Sequence, residues 1–312
     1  MKAPAFSRKL VGAKPAAFPH FIPPCLANLR DTVPTARGFV HELKLDGYRV
    51  QAHLQNGRVL LYTRSGLGCT SSFPTIAADV ARLAAEDLII DGEVISADSH
   101  GHPNFSALQD DLKRGRHDRM VYYVFDLLHL DGFDTRPAAL VARKAVLQSI
   151  LSEAGAMAPH VLYSEHFEDG VDLYARAGRM NLEGIVSKRF DAPYRSGRRG
   201  QWFKIKCLKH GRFAVVGFVP EGSNGILKLR LARREGSALV YVGRVGTGWS
   251  RQIAREIRRA LEPLVRPTSP LSTPLKKADT TWVEPTYDAE ITYAEITDDG
   301  MVRHPSFKRL VL

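Results

Sequence analysis

Apolar and polar residues alternate through residues 38–63 as in a β-hairpin. One arm runs over Phe39 to Val50 and the other over Val59 to Tyr62, with Gln55-Asn56-Gly57 turning nearby. Further on the period lengthens, and Ile76, Val80 and Leu83 fall on one stripe of a helix predicted over Pro74 to Ala85. A continuous apolar run predicts a buried strand from Leu88 to Ile95, carrying Asp91-Gly92-Glu93 in its middle. Another runs from Val121 to Leu128, ahead of the turn Leu130-Asp131-Gly132. Helical spacing returns over Arg136 to Glu153, with Leu140, Ala145, Leu147 and Leu151 as the inner face, and again over Leu173 to Met180. Ile185-Val186 and Trp202 to Ile205 read as short strands.

The texture changes after Lys209-His210-Gly211. Short β-runs follow at Phe213 to Val219, Ile226 to Ala232 and Leu239 to Val245. A basic amphipathic helix comes next, Arg251 to Leu264, with Ile253, Ile257, Leu261 and Leu264 inward and Arg251, Arg255, Arg258 and Arg259 mostly outward. Final strands lie near Trp282 and Ile291 to Ile296. Several short strands with one helix among them suit a small barrel of the OB type. The expected organisation is therefore α+β: a loosely ordered arm over residues 1–24, a first domain over 25–209 and a barrel domain over 210–312.

A length of 312 residues agrees with two domains. Lys and Arg number 44 against 33 Asp and Glu, a formal charge of +11 that favours a polyanionic partner, nucleic acid above all. Cys25, Cys69 and Cys207 stand far apart, which argues against a paired-cysteine zinc site or a disulfide framework and makes a reducing cytoplasm the expected compartment. No apolar run approaches the ~18 residues of a membrane helix, and the start lacks a signal-peptide core, so no membrane role is expected.

The candidate chemistry centres on His41-Glu42-Leu43-Lys44-Leu45-Asp46-Gly47-Tyr48-Arg49, which offers an amine nucleophile, a carboxylate two residues on, a turn glycine and a guanidinium. An amine attacks phosphorus only when neutral, and the phosphate it attacks needs positive charge to absorb what develops on oxygen. The same string also reads as a surface strand ending in an Asp-Gly turn. Further along, Asp91-Gly92-Glu93 sits in a buried strand, where acidic groups must find partners, or else forms a tight turn. Phe125-Asp126 ends another buried strand. Glu183 precedes Ile185-Val186 and Lys188 follows it, as a functional pair or a surface salt bridge. In Trp202-Phe203-Lys204-Ile205-Lys206 the two lysines share one strand face, as a phosphate clamp or simply a solvated face.

In this order, these segments resemble the six motifs of the covalent nucleotidyltransferases, and more closely those of the ATP-dependent DNA ligases. The resemblance covers roughly residues 20–312 and is strongest to the ligase module of bacterial end-joining ligases, through Phe21-Ile22-Pro23-Pro24, Val245-Gly246-Thr247-Gly248 and Arg303-His304-Pro305-Ser306-Phe307. It implies a nucleotidyltransferase (adenylation) domain of antiparallel sheets with flanking helices, followed by the OB-fold domain. Gly68-Cys69 departs from the Asp-Trp that such ligases often carry after the arginine-glycine segment.

The resemblance further implies roles. Lys44 would be adenylylated by ATP, with Asp46 close to the reacting centre. Glu42 and the Leu43 backbone would read the adenine edge, Phe125 would stack on the base and Glu93 would hold the ribose. Glu183, with Asp46 and Glu93, would engage Mg²⁺ or Mn²⁺. Arg49 and Arg64 would grip phosphate, Arg64 the 5′-phosphate of the nick. Arg198, Lys204 and Lys206 would clamp the AMP phosphate on a strand supported by Trp202, with Lys188 a further member. Arg303 and Arg309 would orient pyrophosphate. The implied partner is nicked double-stranded DNA, sealed by a monomer in the bacterial cytoplasm, associated with the nucleoid, alongside a Ku-like end-binding protein. An RNA ligase, a GTP-dependent capping enzyme and a non-catalytic nucleic-acid-binding relic are the competing expectations.

Overall fold

The computed structural model describes residues 10–97, 101–273, 275, 279–297 and 299–312, and all counts refer to those residues. The chain divides into two compact units, Met1–Cys207 and Leu208–Leu312.

The first unit begins its long strands with β1 (Phe39–Leu43), β2 (Tyr48–Gln55) and β3 (Arg58–Thr63), followed by α1 (Pro74–Val80), β4 (Asp87–Ser96) and α2 (Phe105–Lys113). It continues through β5 (Met120–Leu130), α3 (Leu140–Ala154), β6 (Val161–Tyr163), α4 (Gly170–Arg179), β7 (Gly184–Arg189) and β8 (Trp202–Lys206). A seven-stranded sheet has the order Lys14–Pro15, Phe133–Asp134, β5, β4, β2, β3, with β6 beside β5. A four-stranded sheet has the order Asn28–Leu29, β8, β7, β1.

The expected single arm from Phe39 to Val50 is therefore two strands in two sheets. β1 pairs with β7 and stops at Leu43, while β2 pairs with β3 and β4. Alternation continues across the break because both strands are half-buried, and hydropathy does not reveal which sheet a strand joins. The crossing is tight: a Cβ on Gly47 would lie 2.0 Å from the Val94 carbonyl oxygen, so no larger residue fits.

Burial explains the layering. One face of the larger sheet packs Val50, Leu54, Ile90 and Val94 against Ile76 and Val80 of α1 and Leu147 and Ile150 of α3. Ile89 and Leu128 on the other face meet Trp202 of the smaller sheet, together with Ile22, Cys25 and Tyr194. Leu173 and Ala177 of α4 cover the far side of the smaller sheet at Ile185 and Ile205. Each fully buried large aliphatic side chain contributes about 1.5–3 kcal/mol.

Two further expectations for the first unit need correction. Residues 1–9 of the arm lie outside the described residues, but Leu10 to Pro24 is pinned rather than loose. Leu10 is buried, Lys14–Pro15 joins the larger sheet, and the Ile22 backbone exchanges two 3.0 Å hydrogen bonds with the Gln51 side-chain amide. Phe18 packs edge-on against His53 and His129. The second correction concerns α3, which starts at Leu140 and leaves Ala145 exposed. Its inner face carries Arg143 and Lys144, because each finds a buried carboxylate: Asp126 for Arg143 at 2.7 Å and Glu42 for Lys144 at 2.9 Å.

The second unit contains β9 (Lys209–Glu221), β10 (Gly225–Glu235), β11 (Ala238–Val245), α5 (Arg251–Leu261), β12 (Thr281–Val283), β13 (Asp288–Tyr293) and β14 (Ser306–Val311). The long β9 pairs with β10, β12 and β13, and bulges after Val215 and Val219 let it serve several neighbours, as in an OB-fold. On α5, Ala254, Ile257 and Leu261 turn inward. Ile253 is exposed, and the Arg258 guanidinium lies over the Phe218 ring, 4.5 Å from its centroid, rather than outward.

Arg143 and Asp126 have side chains 1% and 0% exposed, so breaking their pair leaves a charge without water. Arg143→Met is expected to cost the first unit about 3–5 kcal/mol, and the Asp126→Leu/Arg143→Met double variant distinctly less than the single one. Urea midpoints of the three proteins measure this. Equal losses for single and double variants would show that the pair is not the source of the effect.

Candidate active site

The local sequence places the key side chains on one face of the smaller sheet. Register pairs Glu42 with Val186 and Val186 with Lys204, Lys188 with Trp202, and Gly184 with Lys206. The Lys44 backbone N–H donates to the Gly184 carbonyl at 2.9 Å, extending that register by one row. Side chains two residues apart share a strand face, so Lys44, Glu42, Lys188, Trp202, Lys204 and Lys206 project together. Gly184 permits the close approach, since a Cβ there would lie 2.0 Å from the Ile205 carbonyl oxygen.

This face borders a cavity of about 690 Å³ between the two sheets of the first unit, whose lining also includes Arg49, Glu93 and Phe125. At the Lys44 end, the ammonium lies 2.5 Å from Glu183 Oε2, and Lys206 Nζ lies 3.3 Å from Glu183 Oε1. Burial, and the nearby charges of Lys206, Lys44 and Arg198, push the Lys204 ammonium below its usual value. These cations leave a surplus of positive charge suited to phosphate oxygens.

The other end is apolar and ringed by buried charge. Phe125 stands edge-on to Trp202, with centroids 5.7 Å apart. Lys188 Nζ lies 4.4 and 4.3 Å from the Phe125 and Trp202 centroids and 2.7 Å from Glu42 Oε2. Burial would raise the Glu42 carboxyl, but Lys144 and Lys188 outweigh it and hold the group below the usual range. Burial brings Lys188 down to about 8 despite its carboxylate partner. We assign Glu42 as ionised, because two ammonium groups share it.

Glu93 lines the cavity, and burial raises its carboxyl to about 7 even though Lys44 and Arg49 pull it down. An incompletely neutralised carboxylate beside Glu183 fits a divalent cation of the kind held by one or two carboxylates and substrate phosphates. Among the described residues, however, no three acidic, His or Cys side chains converge as metal ligands, so the expected trio of Asp46, Glu93 and Glu183 is not assembled. Asp46 is half-buried between the lining residues Leu45 and Gly47 without lining the cavity itself. The chain turns there from one sheet to the other, and two-residue alternation no longer directs the side chain.

The remaining candidates divide. Arg198 and Arg64 are exposed residues of the cavity lining, and Arg198 donates to the Ala27 carbonyl at 2.8 Å. Arg49 is more committed than its motif implied: its guanidinium bonds Asp91 at 2.7 and 3.1 Å and the Cys25 carbonyl at 2.6 Å. Lys188, expected in the phosphate cluster, instead pairs with Glu42. Arg303 and Arg309 belong to the second unit, where they pair with Glu295 at 2.7 Å and Glu290 at 2.9 Å. Sequence reasoning missed Tyr194, which donates to Asp91 at 2.7 Å, as well as Arg143, Lys144 and Ser164. For α3 a signal existed, because Leu140, Arg143, Leu147 and Ile150 keep helical spacing.

Comparison with known proteins agrees with this layout. The model of the ATP dependent DNA ligase domain matches residues 24–206, and that of the ATP dependent DNA ligase C terminal region matches residues 222–311. The chain is 36% identical to the multifunctional non-homologous end joining protein LigD of Pseudomonas aeruginosa over 98% of its own length and 37% of that protein's. It is 33% identical to the LigD of Mycolicibacterium smegmatis over 88% of this chain and 36% of that one. It therefore spans little more than a third of these relatives. The crystal structure of the ligase domain of M. tuberculosis LigD is similar at 32% identity and a TM-score of 0.55, covering 92% of this chain and 94% of that one.

The raised Glu93 carboxyl sets a pH dependence. Below an ordinary glutamate value of about 4.3 the group is protonated both folded and unfolded, with no net effect. As pH rises from there to about 7, the unfolded chain ionises first and the folded state loses stability. Glu93→Gln should therefore gain about 1–2 kcal/mol over the parent at pH 8 and almost nothing at pH 4.5, the figure being tempered by cavity solvent. Melting temperatures at the two pH values measure it, and a gain independent of pH would contradict it.

Proposed function

Because this chain belongs to the ATP-dependent DNA ligase family, we propose that it seals 3′-hydroxyl/5′-phosphate nicks in duplex DNA through a lysyl-AMP intermediate on Lys44. The observation that carries this reading is the placement of Lys44 on the cavity face, against Glu183, in the row of Lys206 and two rows from Lys204.

Glu183, 2.5 Å away, is placed to take the proton the Lys44 ammonium must lose. The neutral nitrogen then bonds to the α-phosphorus of ATP while the bond to pyrophosphate breaks. Lys204, Lys206 and Arg198 hold the α-phosphate oxygens as charge develops there. Phe125 stacks on the base, Glu42 and the Leu43 backbone read its edge, and Glu93 holds the ribose. A Mg²⁺ or Mn²⁺ ion held by Glu183 and Glu93 would supply further neutralisation of phosphate charge. Arg303 and Arg309 orient the departing pyrophosphate and Arg64 grips the phosphate of the nick, while Arg49, held by Asp91 and the Cys25 carbonyl, adds its positive charge to the phosphate end from the cavity wall. The nick's 5′-phosphate oxygen next displaces Lys44 from the adenylate, and the 3′-hydroxyl finally displaces AMP to close the strand. The relatives' names favour a role in end joining. In this reading the chain acts as a monomer in the bacterial cytoplasm, nucleoid-associated and recruited by a Ku-like protein.

Lys44→Ala should abolish covalent labelling by radioactive ATP, and Lys44→Arg should do the same because arginine does not shed its proton. Label retained by either variant would place the nucleophile elsewhere. Labelling with GTP in place of ATP would point to a capping-type enzyme.

The segment Arg195 to Arg212 holds seven basic residues and no acid, and α5 adds the exposed Arg251, Arg255 and Arg259. Nick affinity should fall at least about tenfold between 50 and 200 mM salt, as several phosphate contacts release counterions. Fluorescence anisotropy on a nicked duplex tests this, and an affinity flat in salt would contradict backbone tracking by these surfaces.

A further inference from the structure

Lys144 is a buried cation beside the nucleotide cavity that the proposed mechanism leaves without a task. Its side chain is 0% exposed and does not line the cavity. The Nζ donates to the Ser164 carbonyl at 2.9 Å, lies 2.9 Å from Glu42 Oε1 and sits 4.5 Å from the Tyr163 ring centroid. Arg143, one residue earlier, chelates Asp126 at 2.7 and 2.9 Å, which fixes the rotation of α3 and so aims Lys144 inward. Glu42 Oε2 takes hydrogen bonds from Lys188 at 2.7 Å and the Ser164 hydroxyl at 3.1 Å. Glu42 Oε1 is buried, and its ion-pair partner is Lys144 Nζ at 2.9 Å. Lys144 thus contributes charge to that oxygen from behind a carboxylate that borders the cavity.

We propose that Lys144 is a positioning residue for nucleotide choice: from outside the cavity it keeps Glu42 ionised and acceptor-only, so the site takes a purine with an amino group at C6 and rejects one with an oxygen there. This rests on the reading of Glu42 as the group that meets the base edge. An ionised carboxylate accepts only, whereas a protonated one also donates and would welcome a C6 oxygen. A site whose polar group can accept but not donate discriminates against a ligand that presents only an acceptor there. The charged and titratable groups around Glu42 are Lys144 from α3, Lys188 from β7, and Tyr163, Glu165 and His166 from β6 and the residues after it, with Asp126 of β5 acting on Lys188. Burial weakens the charge of Lys188, so Lys188 alone would hold Glu42 less firmly than the two lysines do together.

The test compares covalent labelling of the full chain by ATP and by inosine triphosphate, which carries the C6 oxygen, between pH 6 and pH 9. The parent should prefer ATP with a ratio of kcat/KM flat in pH. Lys144→Met should lose at least about tenfold of that ratio at pH 6 and recover most of it at pH 9, as Glu42 ionises again. Lys144→Arg should restore the flat profile. A Lys144→Met protein that labels with unchanged selectivity across pH would overturn the proposal, because a purely structural role would lower both rates together. Should Lys144→Met fail to fold, the Glu42→Gln/Lys144→Met double variant decides against Glu42→Gln alone. Equal selectivity in those two supports action through Glu42, and a difference beyond about threefold overturns it. Absence of any label on the parent protein would instead sink the reading of Lys44 as the nucleophile.

Discussion

The four-residue passage from Leu43 to Tyr48 is the constraint on which the first unit depends. It takes the chain from the edge of one sheet to the interior of the other, and Gly47 must fit against the Val94 carbonyl for it to do so. A cavity between two sheets follows from that crossing, because the strands on either side of Lys44 belong to opposite walls. The amine therefore stands at the seam, within reach of Glu183 from the turn before β7 and of cations from β8. A continuous strand would have pointed the same residue at a single sheet face with no opposing wall.

Charge is treated differently at the two ends of the cavity. Around Lys44 the pairs are partly exposed, with Lys44 and Glu183 side chains at 22% and 17%, so partners can exchange when phosphate enters. Around Glu42 the pairs are closed off from water, and losing one member leaves an uncompensated charge. Preorganisation costs stability where it is buried and permits chemistry where it is open. The elevated Glu93 carboxyl lies between these regimes, lining the cavity with too few protein partners to neutralise it.

Several readings failed for physical reasons that particular residues make plain. Apolar character alone puts Ala145 on the inner face of α3, but Arg143 and Lys144 take that face and Ala145 is exposed. Their carboxylate partners are distant in the chain, 17 residues away for Asp126 and 102 for Glu42, and no local pattern announces them. The proline-rich start looked loose by composition, yet Ile22 answers the Gln51 amide and Phe18 seats against two imidazoles. Asp46 shared a motif with Lys44, but it falls in the passage between the two sheets and does not line the cavity.

By itself the sequence determined most of the strands and helices in their order, the change of texture near residue 209, and the residue types of the reacting face. Strand periodicity is local, and Lys204 and Lys206 share a side whatever they pack against. Only the tertiary structure decided which strands face each other across the cavity, which cations answer Glu42 and Asp126, and how far Arg49 is tied to Asp91. Those outcomes depend on contacts between residues remote in sequence. There, the cost of burying an unpaired charge selects the partner, and hydropathy along the chain carries no record of it.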